Sequence, residues 1–377
     1  MKLIFLGDYC VSEARQPEIA AALAARMKAA DIVCVNFEGP MVTSDMQAAP
    51  KTGPAIHQTT QAVSWLREMG ASHACLANNH IMDYGADGLQ QTRDALSAAE
   101  VTSFGAGGDF ETAYRPCMVD AQGKKLAFLA FGEGQFGVLN DAEASAAGFA
   151  WVGHSRARQA VAQARRTADH VIVQVHAGLE MAEIPLPEWR RCYRELIDLG
   201  ADIVIGHHPH VTQGQETYGK GRIFFSLGNF YMDVMLAAAA PGHGAMVEVT
   251  LDKQGLTAEL VPLSVRGHEV DIDLSPGAMA AQQERDDILG DMQTYQHAVE
   301  QLVATAWRDI YESYYAAALL GIGTGVSWRA PIDLLKNWAR GLVKGRRGRL
   351  SRDLLLLHNI RIETHRWVVE RALQNKI

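Results

Sequence analysis

The chain has no C-x-x-C pair, no uncharged run long enough to span a membrane, and no excess of positive charge. Its five cysteines, Cys10, Cys34, Cys75, Cys117 and Cys192, are scattered and odd in number. That excludes a disulfide framework and points to a reduced, intracellular protein. The uncharged stretch Tyr314–Trp328 carries three glycines and falls short of the ~20 residues of a spanning helix. The opening "MKLIFLGDYC" is apolar over too few residues for a signal peptide and reads as a first core strand. A cytoplasmic protein is expected, with peripheral membrane contact left open. The net charge of −8 gives no reason to expect nucleic acid as a partner. No G-x-x-x-x-G-K-[ST] loop occurs, which sets aside an ATP-driven ligase of the P-loop type. Internal repeats and low-complexity tracts are also absent.

What is present alternates between strand-like and helix-like runs. "LIFLGD", "DIVCVNFEG", "HACLANNH", "KKLAFLAFGE", "VIVQVHAG", "ADIVIGHHPH" and "RIFFSLGNF" read as buried strands. "PEIAAALAARMKAA" reads as a helix with Pro17 in its first turn. "TTQAVSWLREMG" and "PEWRRCYRELIDLG" read as helices closed by Gly70 and Gly200. The alternation predicts an α/β fold with a largely parallel inner sheet. "GAMVEVTLD" and "LTAELVPLSVR" add an antiparallel hairpin. Residues 276–377 read as a helical C-terminal region, distinct from a main domain over 1–275. After Gly325, twelve Lys and Arg stand against four Asp and Glu, a local charge of +8.

The strand-like runs end in residues able to bind a cation: Asp8, Glu38, Asn78 with Asn79 and His80, His176, His208 with His210, and Asn229. "GHHPH" alone puts three imidazoles into four positions. In parallel α/β sheets ligands bind beyond the carboxyl ends of the strands, so parallel strands would bring these ends together. Two carboxylates, an amide and several imidazoles on one edge compose a metal site.

"FLGD", "NFEGP", "NNHIMDYG", "AGLE" after His176, "GADIVIGHHPHVTQG" and "FFSLGNF" follow one another in an order that resembles the CapA family of poly-γ-glutamate capsule synthesis. That family is similar to calcineurin-like metallophosphoesterases. The resemblance covers roughly residues 1 to 265 and leaves the C-terminal helices outside. It implies a double β-sheet sandwich flanked by helices, with one or two divalent ions (Mn, Zn or Fe). Asp8, Glu38, Asn79, His176, His208 and His210 match the ligand positions. His80 matches the histidine of the family's Asn-His pair and is expected to be catalytic, and Asp83, three residues on, is expected to orient it. Asn78, Glu180, His207, Gln213 and Asn229 are expected near substrate, Gln213 and Asn229 as supporting amides. Which of His207 and His208 faces the metal stays open. The chain departs from the superfamily pattern at Asp8-Tyr9-Cys10, where D-x-H is usual, and at "NFEGP", where G-D-x-x-D is usual. The first metal position loses an imidazole unless Cys10 replaces it.

A metal held by these residues would lower the pKa of a bound water toward neutrality and supply a nucleophile for phosphorus or a carbonyl carbon. The expected function is therefore a CapA-type hydrolase or transferase in capsule or extracellular polymer metabolism. An anionic polymer or phosphorylated compound is the expected substrate. The alternative is a non-catalytic assembly or anchoring protein that keeps the metal fold. "PIDLLKNWARGLVKG" places Ile332, Leu335, Trp338, Ala339 and Leu342 on one helical face beside basic residues. That face is a candidate contact for an anionic membrane surface, polymer or protein. The oligomeric state is not legible.

Overall fold

The computed structural model describes residues 1–13, 15–140, 145–235, 242–253, 255–312, 315, 354–355 and 357–375. The first sheet is built around β1 (Lys2–Cys10), β2 (Ile32–Phe37), β3 (His73–Cys75) and β4 (Thr102–Phe104), all parallel. Helices α1 (Ala21–Ala29), α2 (Ala62–Glu68) and α3 (Gly85–Ala98) connect them. The second sheet is built around β5 (Lys124–Gly132), β6 (His170–His176), β7 (Ile203–His207) and β8 (Gly221–Phe224), also parallel, with α4 (Ser155–Thr167) and α5 (Pro187–Asp198) as crossovers. β9 (Asn229–Met232) returns to pair with the end of β1. The expected hairpin forms from β10 (Gly242–Leu251) and β11 (Leu256–Arg266), and β12 (Glu269–Ile272) extends it.

Central strands such as β1 and β2 are apolar on both faces because each face is covered, one by helices and one by the other sheet. Between the sheets Phe128 of β5 meets Phe5 of β1 edge-on, with ring centres 5.7 Å apart. Gly70 and Gly200 close α2 and α5 with positive φ, as their positions predict.

Two local readings are corrected. Pro17 does not open a helix: Glu18–Ile19 pairs with β12, and α1 begins at Ala21. The backbone N–H of Glu18 donates to the carbonyl of His268, so strand pairing captures a segment of good helix propensity. "HACLANNH" is strand only over His73–Cys75. The Asn78 carboxamide oxygen accepts from the N–H groups of Gly39 and His80 and pulls the chain out of the ladder into turns.

Among the described residues from Pro276 onward, three helices stand out: α6 (Pro276–Gly290), α7 (Met292–Ala306) and α8 (Glu363–Gln374). Leu289, Tyr295, Val299, Val303, Val368 and Val369 join the core that covers the outer face of the second sheet. These helices thus share a core with the main fold. The amphipathic face Ile332, Leu335, Trp338, Ala339 and Leu342 lies outside the described residues. Among the described residues, no helix is long and apolar enough to cross a membrane.

Candidate metal centre

Parallel strands place their carboxyl ends on one edge, and the cleft between the two sheets opens there. Asp8 leaves β1 at an irregularity where the pairing register slips against both β2 and β9. Gly7 makes this possible: a Cβ there would lie 2.1 Å from the carbonyl oxygen of Gly228. The bulge turns the Asp8 carboxylate toward the neighbouring strand ends. Glu38 follows β2, His176 closes β6, and His208 and His210 follow β7. His208 and His210 have φ of 97° and 59°, a left-handed backbone that non-glycine residues rarely adopt. Strain of this kind concentrates at functional sites.

The atoms brought together are almost all acceptors. Asp8, Glu38 and His210 each offer one ligand atom within a 4.8 Å group, and so do Glu180, His208 and His210. His210 is common to both groups, an arrangement compatible with one ion or two adjoining ones. Nε2 of His176 lies 2.9 Å from Asn79 Oδ1, 3.1 Å from His208 Nδ1 and 3.8 Å from Glu38 Oε1. One ring proton cannot serve three such atoms. Both carboxylate oxygens of Glu38 are buried with no hydrogen-bond donor among the described residues. A buried acceptor left this way is costly unless something cationic meets it. A donor set of carboxylate, amide oxygen and imidazole fits a divalent cation.

The electrostatics agree. Burial, with Asp8 alongside, pushes Glu38 up to about 8 despite the opposing pull of His210. Burial would lower His210, but Glu38 and Asp8 outweigh it and raise the imidazole to about 10. Burial would raise Asp8, but hydrogen bonding to His207 and His210 holds it well below the usual carboxylate range. Burial holds His176 well below its ordinary value and lowers His208 to about 4, so both present neutral imidazoles. A protonated His210 is the positive charge that faces Asp8 and Glu38.

His80 is held differently. Its Nδ1 lies 2.7 Å from Asp83 Oδ2, and a carboxylate can only accept, so Nδ1 carries the proton. Nε2 then faces the centre, 4.0 Å from Glu38 Oε1. Asp83 also pairs with Lys51 and accepts from the N–H of Ile56. A cavity of about 460 Å³ opens over His80, Asn79, His208 and Glu180, with Lys51 on its wall.

The structure moves several residues expected near substrate. Asn78 is buried and spends its amide on the carbonyl of Phe37. His207 is fully buried between Gln174 and Asp8, because the last residue of a strand alternates to the side opposite His208. Gln213 is buried and donates to the carbonyl of Ala182. Asn229 turns its carboxamide oxygen to His210 Nδ1 at 2.9 Å, a supporting contact. Glu180 alone of the five lines the cavity. Cys10 points its sulfur at the carbonyl of His57 and belongs to neither group of converging ligand atoms, so it does not take the place of the absent imidazole.

Six contributors escaped the sequence reading. Asn36, the first residue of "NFEGP", bridges Asp8 Oδ1 at 2.8 Å and His176 Nδ1 at 3.0 Å, and its place inside a recognised motif was the available signal. Lys51 sits in a Pro- and Gly-rich loop without pattern. Glu133 lies 3.5 Å from His208 Nε2. His358, Arg361 and His365 reach the cavity from the C-terminal region.

The family description "Bacterial capsule synthesis protein PGA_cap" matches residues 2–234. The capsule biosynthesis protein CapA of Bacillus anthracis is 31% identical over 247 residues, 64% of this chain and 59% of that protein. The PGA biosynthesis protein CapA of Bacillus subtilis is 29% identical over 248 residues, 63% of this chain and 62% of that protein. The match therefore spans about three-fifths of these relatives' own length. Among solved structures, a putative 5'-nucleotidase from Staphylococcus aureus is 13% identical with a TM-score of 0.44, covering 76% of this chain and 58% of that one.

Proposed function

This chain belongs to the bacterial capsule synthesis protein PGA_cap family, and on that premise we propose that it is a metal-dependent hydrolase or transferase acting on an anionic extracellular polymer, such as poly-γ-glutamate, or on a phosphorylated precursor. The observation that carries this reading is Glu38. A fully buried carboxylate without a donor, facing Asp8 and three imidazoles, has no structural use of its own. A divalent cation bound by Asp8, Glu38, Asn79, His176, His208 and His210, with Glu180 at the rim, would supply an activated water at neutral pH. Asn36 and Asn229 orient Asp8 and His210. His80 is placed to carry a proton to or from the reacting group through Nε2, and Asp83 fixes its tautomer. Lys51 beside it, with Arg361 across the cavity, favours an anionic ligand.

Protein purified without chelator should contain divalent metal by elemental analysis. It should also hydrolyse bis-p-nitrophenyl phosphate or γ-glutamyl-p-nitroanilide when manganese or zinc is supplied. Metal content without turnover on any phosphoester or amide would transfer the assignment to a metal-bearing assembly protein for polymer synthesis. Absence of bound metal would remove the reading.

A further inference from the structure

The C-terminal helix α8 lies outside the family match, yet it is bonded to the metal cleft by a reciprocal clasp. Glu133 and Gly134 follow β5, and Glu363 and Thr364 begin α8. The Glu133 Oε2 atom accepts from the Thr364 hydroxyl at 2.6 Å and from the Thr364 N–H at 3.2 Å. In return Glu363 Oε2 accepts from the Gly134 N–H at 2.8 Å and from Trp151 Nε1 at 2.8 Å. Glu133, Glu363 and Thr364 are all buried.

Proton bookkeeping gives the clasp a direction. The Trp189 indole can only donate, and its Nε1 lies 2.8 Å from Thr364 Oγ1. Thr364 therefore accepts from Trp189 and gives its own hydrogen to Glu133. Gln135 Nε2 donates to the other oxygen, Oε1, at 2.6 Å. Glu133 is thus an acceptor fixed at both ends, and the same Oε1 faces His208 Nε2 at 3.5 Å. The other ring nitrogen of His208, Nδ1, points into the cluster, 3.1 Å from His176 Nε2. At 3.5 Å the contact is longer than a hydrogen bond, but it sets Glu133 beside the ring nitrogen turned away from the cluster, where a carboxylate can orient an imidazole ligand once the pair closes.

We propose that α8 is a working part of the metal centre, with Glu133 and Thr364 as positioning residues that hold His208 for metal binding. The inference rests on the metal-centre half of the function proposed above and is independent of hydrolysis. It also explains why a helix beyond the family match buries two polar residues against the cleft, where an apolar contact would have anchored it equally well.

The test is the affinity of the metal-free full-length protein for Mn²⁺ and Zn²⁺ by titration calorimetry, with melting temperature measured alongside. Glu133→Gln and Thr364→Val should each weaken binding by about tenfold or more, the range for contacts that orient a ligand. Arg371→Ala breaks the ion pair of the same helix with Glu188, two turns beyond Thr364 and outside the cavity lining, and should leave affinity within about twofold of the parent. Metal should also raise the hydrogen-exchange protection of residues 363–375 in the unmodified protein, a readout that needs no variant to fold. Parent-like affinity in both Glu133→Gln and Thr364→Val overturns the proposal, as does equal loss in Arg371→Ala. Unchanged exchange on metal addition overturns it if the variants do not fold. A parent that binds metal but hydrolyses nothing sinks only the enzymatic reading, whereas a parent that binds no metal sinks both.

Discussion

His210 takes its proton from the company of Asp8 and Glu38, and this has a measurable consequence. Its folded value of about 10 lies above the ordinary 6.5, so its stabilising contribution is complete below about 6.5 and is lost as pH rises through 10. Glu38, raised to about 8 from 4.5, acts with the same sign: its contribution is complete below 4.5 and lost as pH rises through 8. Asp8 has the opposite sign, but its window lies in the acid range. Metal-free protein in chelator should therefore melt at progressively lower temperature between about pH 7 and 9.5. Added divalent metal should cancel the fall, because the cation takes over the role of the His210 proton. A flat or rising melting temperature without metal would mean that the cluster is compensated in another way. His80 carries a separate expectation. Its Nδ1 is committed to Asp83, so His80→Ala should retain metal while turnover falls by ~10²–10⁴-fold, the usual worth of a positioned acid or base. Loss of metal in step with activity would make His80 a ligand.

At the scale of elements, the decisive piece is the end of β7 together with the turn that follows it. Gly206 lies where a Cβ would come within 1.8 Å of the carbonyl oxygen of Phe225. Both partners there are backbone, so neither can move aside cheaply. Gly206→Ala should cost about 3 kcal/mol by urea unfolding, near the top of the range for overpacking. Because His208 and His210 ride on the same turn in left-handed conformations, metal content should fall together with stability. A stable variant with full metal content would show that the turn tolerates displacement. The turn over Asn78–Asp83 behaves similarly. Its side chains diverge because Asn78 caps it, and an extended strand end would not have aimed Asn79 and His80 in these directions.

For the whole molecule, charge and core divide the chain differently. The charge changes sign after Gly325, while the core of the second sheet runs on through α6, α7 and α8. The basic stretch is proposed to meet an anionic surface. Full-length protein should co-sediment with phosphatidylserine vesicles, more strongly at low salt, at roughly 1 kcal/mol per basic residue near the surface. Reversing Lys344, Arg346, Arg347 and Arg349 to Glu should abolish the effect. Equal recovery of both proteins would leave the charge as a solvated surface. Deleting the C-terminal helices would be a poor control here, because Val368 and Val369 are buried in the shared core.

Much of this protein was legible before folding was considered. Strand and helix alternation follows from local apolar periodicity, and strand-end residues such as Asp8, His176 and His208 stand out because polar groups end apolar runs. The parallel order that joins those ends is what the alternation itself implies. Tertiary structure decided the rest. It decided which side of β7 each buried histidine faces, turning His207 toward Gln174 and Asp8 and His208 toward the cavity, because one residue of phase separates the two faces. It took Glu18 and Ile19 from a helix into a sheet edge, since long-range pairing outweighs local propensity. It brought Lys51 and Thr364 to the cleft from segments without motif, and Glu133 from the end of the strand-like run "KKLAFLAFGE". Contacts between residues as far apart as Glu133 and Thr364 leave no periodic trace, and only the folded chain reveals them.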